Sequence, residues 1–193
     1  LMTNYRIDQL LQKKSKWIQK KLLLTSYHEK PFEIQNGAKF NILDKELVVT
    51  LEVGVNNISI EGSRFFISFK NLSDHRKLKK FFLMWIKIYA LKYFTERVNN
   101  LCKKNNLKVQ ATLISNAKTR WGTCNTKKEI RLNWRLIQSP KYVIDYVICH
   151  ELSHLKFMNH SSDFWQQVRL LFPNYKKAEL YLKENGFKLH RID

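Results

Sequence analysis

His150-Glu151-Leu152-Ser153-His154, with His160 six residues further on, is the stretch from which the rest of this 193-residue chain can be read. On a helix, residues four apart leave the same face about one turn from each other. The imidazoles of His150 and His154 can therefore reach a single ion, at the roughly 2.0–2.1 Å typical of zinc and nitrogen. Glu151 is turned about 100° around the helix, beside such an ion rather than at it. There it can hold and deprotonate an activated water. His160 lies past the expected helix end, where a turn can bring back a third nitrogen. Three protein ligands and an open fourth position are the arrangement of a catalytic zinc. By chance, His-Glu-x-x-His arises in about one chain in a hundred of this kind, and a correctly spaced third His lowers that to roughly a few in ten thousand. Val143 and Val147 continue the stripe of His150 and His154 backward, so this face points inward. Ser139-Pro140 reads as the helix start, with Ser139 as N-cap and Pro140 at the first helical position.

The composition is that of a globular protein: 44% hydrophobic, 13% aromatic, and only 5 Gly and 3 Pro, which excludes fibrous and low-complexity classes. The longest apolar run, Phe81 to Ile86, is far short of the ~20 residues that span a bilayer. No secretory signal opens the chain, and a start at Leu1 is expected to be preceded by a native one. The expected location is cytoplasmic. Cys102, Cys124 and Cys149 are few, odd in number and without a Cys-x-x-Cys pair, which suits a reducing compartment. Cys149 reads as a small buried hydrophobe. The net charge of +19 attracts polyanions, nucleic acid among them. The abundance of Lys, Asn and Ile equally fits the lysine-rich surface that an AT-rich genome encodes. Charge alone does not mark a nucleic-acid-binding protein.

Along the chain, residues 3–24 read as a basic amphipathic helix, with Ile7, Leu10, Leu11, Trp17, Ile18 and Leu22 on its apolar side. It is expected to pack on its own domain rather than on a membrane. From about 31 to 70 the period changes to two, as in Leu47, Val49, Leu51 and Val53 and then Phe65, Ile67 and Phe69. Turns fall at Asn36-Gly37, Asp44-Lys45 and Glu61-Gly62, giving an antiparallel β-rich subdomain. Ser73-Asp74 caps a long helix over about 75–104, with Leu78, Phe81, Phe82, Trp85, Ile88, Tyr89, Val98 and Leu101 as its apolar stripe. Strand-like segments at Lys108–Ser115, Arg120–Cys124 and Glu129–Trp134 place a small antiparallel sheet beside the metal. Ser161-Ser162-Asp163 starts a further helix, in which Phe164 and Trp165 support the site, and a last helix ends at Asn185-Gly186, with Gly186 as C-cap. The expected fold class is α+β. An N-terminal helix and β-rich subdomain occupy 1–72, and a compact zincin-like catalytic domain occupies 73–193.

Arg120-Trp121-Gly122-Thr123-Cys124, Ile130-Arg131-Leu132-Asn133-Trp134-Arg135-Leu136, Asp145-Tyr146-Val147, the His150–Leu155 run, Asn159-His160-Ser161 and Phe164-Trp165 together resemble the YgjP-like metallopeptidase family. The matched block spans about 116–186. The resemblance implies a gluzincin-like domain, similar in layout to the SprT and Spartan proteases. It carries zinc ligation onto His150, His154 and His160 and the general base onto Glu151. Thr123 stands where the family has Ser, and Phe157 stands where metzincins have Gly. Glu179, on a later helix, is the alternative third ligand. The Arg120–Cys124 segment is either a strand bordering the cleft, able to meet an extended peptide by strand addition, or a structural hairpin.

The expected function is zinc-dependent hydrolysis of peptide bonds, through a zinc-activated water with Glu151 as base, on a peptide or protein substrate. Two alternatives stand beside it: a DNA-associated, SprT-like protease acting on nucleoprotein, and a non-enzymatic, zinc-stabilised nucleic-acid-binding module. The sequence does not specify the oligomeric state or an oxyanion-stabilising residue.

Overall fold

The computed structural model describes residues 6–15, 19 and 31–192. The chain divides into two compact units, Leu1–Phe32 and Glu33–Asp193. In the first, residues 6–15 are helical, and the rest of the helix expected over 3–24, apart from residue 19, lies outside the described residues.

The second unit is mixed α+β. It runs β1 (Lys39–Ile42), β2 (Lys45–Val53), β3 (Asn57–Glu61), β4 (Arg64–Phe69), α1 (His75–Lys104), β5 (Ala111–Ser115), β6 (Gly122–Cys124) and β7 (Glu129–Asn133). A 3-10 turn at Trp134–Gln138 leads into α2 (Lys141–Ser153), followed by α3 (Ser162–Leu171) and α4 (Tyr175–Asn185). The turns at Gly37 and Gly62 have φ of 79° and 61°, a region open to glycine at no steric cost.

Both sheets depart from the antiparallel expectation. The first has the order β1-β2-β4-β3 and the second β5-β7-β6; β2 pairs parallel with β4, and β5 parallel with β7. One physical cause covers both. The last strand of each sheet folds back on its predecessor as an antiparallel pair and enters the centre, so it runs alongside the earlier strand in the same direction. The central places go to the strands with the most apolar surface to bury: Phe65 and Ile67 in β4, and Ile130 and Leu132 in β7, are all fully buried.

The first sheet closes on α1 through a cluster of edge-to-face aromatics, with Phe65 5.8 Å from Phe82 and 5.1 Å from Trp85 between ring centroids. The first sheet and α1 thus share one apolar cluster. Asp74 caps α1 by accepting the Lys77 N–H at 3.0 Å. The buried stripe recurs every fourth residue, as Leu78, Phe82, Ile86, Ala90, Phe94 and Val98. Ile88, expected in that stripe, is off its period and 63% exposed.

One further expectation changes, and another holds with a different geometry. Ser139 does not cap α2: its hydroxyl donates to the Leu136 carbonyl at 2.6 Å and closes the preceding 3-10 turn, leaving Pro140 at the cap. Gly186 is the C-cap of α4, as expected, but not in the left-handed conformation: its φ is −56° and the chain continues into a 3-10 turn. Its small size serves packing instead, because a Cβ there would lie 2.9 Å from Cζ2 of Trp121. Among the described residues no helix is long and apolar enough to cross a membrane.

Candidate active site

Val143 and Val147 bury the inward face of α2 and aim its last turn at the second sheet. His150 lies in that turn, and His154 follows the helix end while keeping helical angles, φ −66° and ψ −15°. The i, i+4 relation expected for this pair is thus preserved at the terminus. His160 immediately precedes Ser161, whose hydroxyl caps α3 by accepting the Phe164 N–H at 3.4 Å. The structure brings these three histidines together: one ring nitrogen from each lies within 4.8 Å of the other two. Nε2 of His150 and Nε2 of His160 are 3.1 Å apart.

The rings are held from behind. Nδ1 of His154 is 2.9 Å from the carbonyl of Phe157. A carbonyl only accepts, so Nδ1 carries the proton and Nε2 keeps its lone pair for the cluster. Phe157 thus supports the site through its backbone carbonyl. Phe164, fully buried, forms a floor under all three imidazoles, with ring centroids 4.9 Å from His150, 4.5 Å from His154 and 4.6 Å from His160. Trp165 lies against His150 and His160 and stacks on Tyr175. Burial, helped by the two neighbouring rings, lowers the His150 pKa to about 4, so its imidazole is neutral, the form that binds metals. Nδ1 of His150 is buried without a hydrogen-bond partner among the described residues.

Glu151 is only 4% exposed and packs on the second sheet. Its carboxylate lies against the backbone of Gly122 in β6: a Cβ on Gly122 would stand 2.7 Å from Glu151 Cγ, 2.8 Å from Cδ and in closer collision still with Oε1. Only glycine allows this approach. The sequence did carry a signal for it, since a glycine inside a short strand marks a close backbone approach. Burial raises the Glu151 carboxyl to about 8 in the metal-free chain.

The rim is built by residues 116–124. Asn133 clamps this loop three ways: its N–H donates to the Trp121 carbonyl at 2.8 Å, and Nδ2 donates to the carbonyls of Ala117 at 2.7 Å and Arg120 at 3.1 Å. Its Oδ1 in turn accepts from the buried Arg135 guanidinium at 3.2 Å. Asn116 Oδ1 accepts from both Trp134 Nε1 at 2.9 Å and Arg135 at 2.8 Å. Sequence reasoning missed Asn133 as a supporting residue, and no local signal identifies it. β6 is an edge strand of its sheet. Its residues, with Arg120 and Trp121, line a cavity of about 560 Å³ that they share with the three histidines and Glu151. Glu179, the alternative third ligand, accepts a hydrogen bond from Tyr146 at 3.1 Å and is not part of the histidine cluster. Burial and Glu179 both raise the Tyr146 pKa, so the phenol stays protonated and donates.

A family model described as "YgjP-like, metallopeptidase domain" matches residues 1–185. No curated protein matches the chain. Among solved structures, the metallopeptidase zymogen jannalysin of Methanocaldococcus jannaschii is similar at 24% identity and a TM-score of 0.43, over 48% of this chain and 95% of that one. The metallopeptidase zymogen abylysin of Pyrococcus abyssi is similar at 22% identity and a TM-score of 0.42, over 47% of this chain and 93% of that one.

Proposed function

We propose how this chain, which belongs to the YgjP-like metallopeptidase family, performs its hydrolysis: His150, His154 and His160 hold a zinc ion, and Glu151 acts as the general base. A metallopeptidase works through a catalytic metal, and the donor set here fits zinc. Three imidazoles suit that ion and leave a fourth position open. Nitrogens bound tetrahedrally to zinc stand ~3.3 Å apart at ordinary bond lengths, close to the 3.1 Å between His150 and His160.

When bound, zinc supplies a Lewis acid for the scissile carbonyl, acidifies water towards a pKa of ~7 and favours the ionised form of a neighbouring carboxylate. Glu151 accepts the proton of the attacking water at its carboxylate and delivers it to the departing amine nitrogen. Packing on Gly122 keeps that carboxylate from swinging away. Phe164 keeps the three rings converged and excludes water from beneath them. The outer edge of β6, Gly122–Cys124, has no neighbouring strand among the described residues and can meet an extended peptide by strand addition, with Arg120 and Trp121 leading into it along the cleft. In this reading residues 73–193 carry the chemistry and residues 1–72 are accessory.

The observation that carries the proposal is the convergence of three ring nitrogens within 4.8 Å in a cavity also lined by a buried glutamate. Metal analysis combined with peptide-library digestion tests it. The native chain should contain zinc and cleave peptides, and Glu151→Gln should keep the zinc and lose turnover. A Glu151→Gln chain that retained full activity would remove the general-base assignment. A chain whose metal content survives replacement of all three histidines would remove the ligand assignment.

A further inference from the structure

The cavity wall is uneven in charge. Trp121, Tyr146, Val147, Met158 and Leu182 make much of it apolar, and Glu151 is the one carboxylate among its lining residues. Among the described residues, Arg120 is the only arginine or lysine lining the cavity; it stands at the rim and is exposed. Two other arginines are matched by carboxylates: Arg97 donates to Asp145 at 2.5 and 2.7 Å, and Arg131 lies 3.5 Å from Glu129. The Arg120 guanidinium makes no hydrogen bond or ion pair among the described residues. Its backbone, by contrast, is fixed, because Asn133 holds the carbonyls of both Arg120 and Trp121. The network anchored on Asn133 thus fixes the backbone that carries a cation which nothing in the described residues neutralises.

We propose that Arg120 is a seat for a substrate carboxylate, which makes acidic peptides the preferred substrate class of this cleft. The inference rests on the peptidase reading above and adds specificity to it. A guanidinium presents a planar fork that matches a carboxylate with two parallel N–H donors. A fixed backbone lowers the ordering cost of using it. The net charge of +19 acts in the same direction, raising the local concentration of anionic peptides at low salt. The carboxylate can come from an Asp or Glu side chain or from a peptide C-terminus, since the recognition chemistry is the same.

Calorimetric binding to the full zinc-loaded chain carrying Glu151→Gln separates these sources. The probes are short peptides with one Glu scanned along the sequence, their Gln counterparts, and the same Gln peptides with a free or amidated C-terminus. A carboxylate form should bind about fivefold or more tightly than its neutral counterpart at low salt, the range of a partly exposed charge-assisted contact. Adding Arg120→Gln should bring that ratio close to one, and Arg120→Lys should restore part of it. Equal affinity of charged and neutral peptides for the parent overturns the proposal. So does a ratio that Arg120→Gln leaves unchanged, which would assign the preference to the overall charge. Hydrolysis by the native chain is measured in parallel. Its absence, with the binding ratio intact, counts against the peptidase reading and leaves the carboxylate seat standing.

Discussion

Replacing Gly122 by alanine asks the structure a direct question. The added Cβ would lie 2.7 Å from Glu151 Cγ, about 0.7 Å inside the 3.4 Å edge of ordinary contact. Glu151 is 4% exposed, so either its carboxylate must swing towards the cavity it lines or strand β6 must move. Overpacking of this size costs about 1–3 kcal/mol. A displacement approaching 1 Å at a catalytic group costs roughly 10²-fold in turnover. The three nearest contacts all fall on Glu151, so Gly122→Ala should lower kcat on a fixed peptide by about that factor while zinc content stays at the native level. Denaturant unfolding adds a second arm that does not depend on catalysis. The alanine should destabilise the native chain but cost close to nothing when Glu151 is also alanine, a coupling of about 0.5–3 kcal/mol. Native kcat in Gly122→Ala, or an equal stability cost in both backgrounds, would refute the placement of Glu151 against β6.

The acidity of Glu151 gives a pH test on the metal-free chain. Its carboxyl rises from 4.5 to about 8 by burial, so the fold retains a proton that the unfolded chain releases. The stability tied to this group is complete below pH 4.5 and is lost as pH rises through 8, a change of about 3 kcal/mol by pH 7. The depressed His150 pKa acts in the opposite sense over the lower part of this range, so the decline is read as a difference: the stability of the native chain relative to Glu151→Gln should fall between pH 5 and 8, and parallel curves would reject it. Phe164→Ala removes the floor beneath three rings and should cost about 3–5 kcal/mol, with weaker zinc affinity in a competitive chelator titration. Asn133→Ala deletes the two carbonyl bonds made by Nδ2 and unpairs part of Arg135, which should cost about 2–3 kcal/mol in unfolding experiments. It should also speed amide hydrogen exchange along residues 116–124.

The parts of the site that could be read from the chain are those built by local geometry. His150 and His154 are set by helical period alone, and His160 is tied to the next helix by the Ser161 cap, so their meeting needs no distant partner. The bounds of α1 follow from a capping Asp74 and a buried residue every fourth position. Ile88 was misplaced because a stripe drawn from hydrophobicity alone ignores which four-residue row faces the sheet.

Other features escaped because their causes lie far away in the chain. Ser139 has the chemistry of a helix cap, yet the preceding turn offers its hydroxyl a nearer acceptor in the Leu136 carbonyl. Gly186 sits where a C-cap belongs, but its smallness answers to Trp121, more than sixty residues earlier. The parallel pairings arise because β4 and β7 compete best for the sheet centres, and alternation within a strand says nothing of its neighbour's direction.

The amino-acid order by itself determined the α+β class, the long helix and the helical spacing of two histidines beside a glutamate, because propensity, period and capping act over a few residues. Only the tertiary structure decided what surrounds them. The Gly122 backbone pressed on Glu151, the Phe164 floor and the Asn133 clamp that holds Arg120 at the rim are contacts between segments whose separation along the chain carries no record of their distance in space.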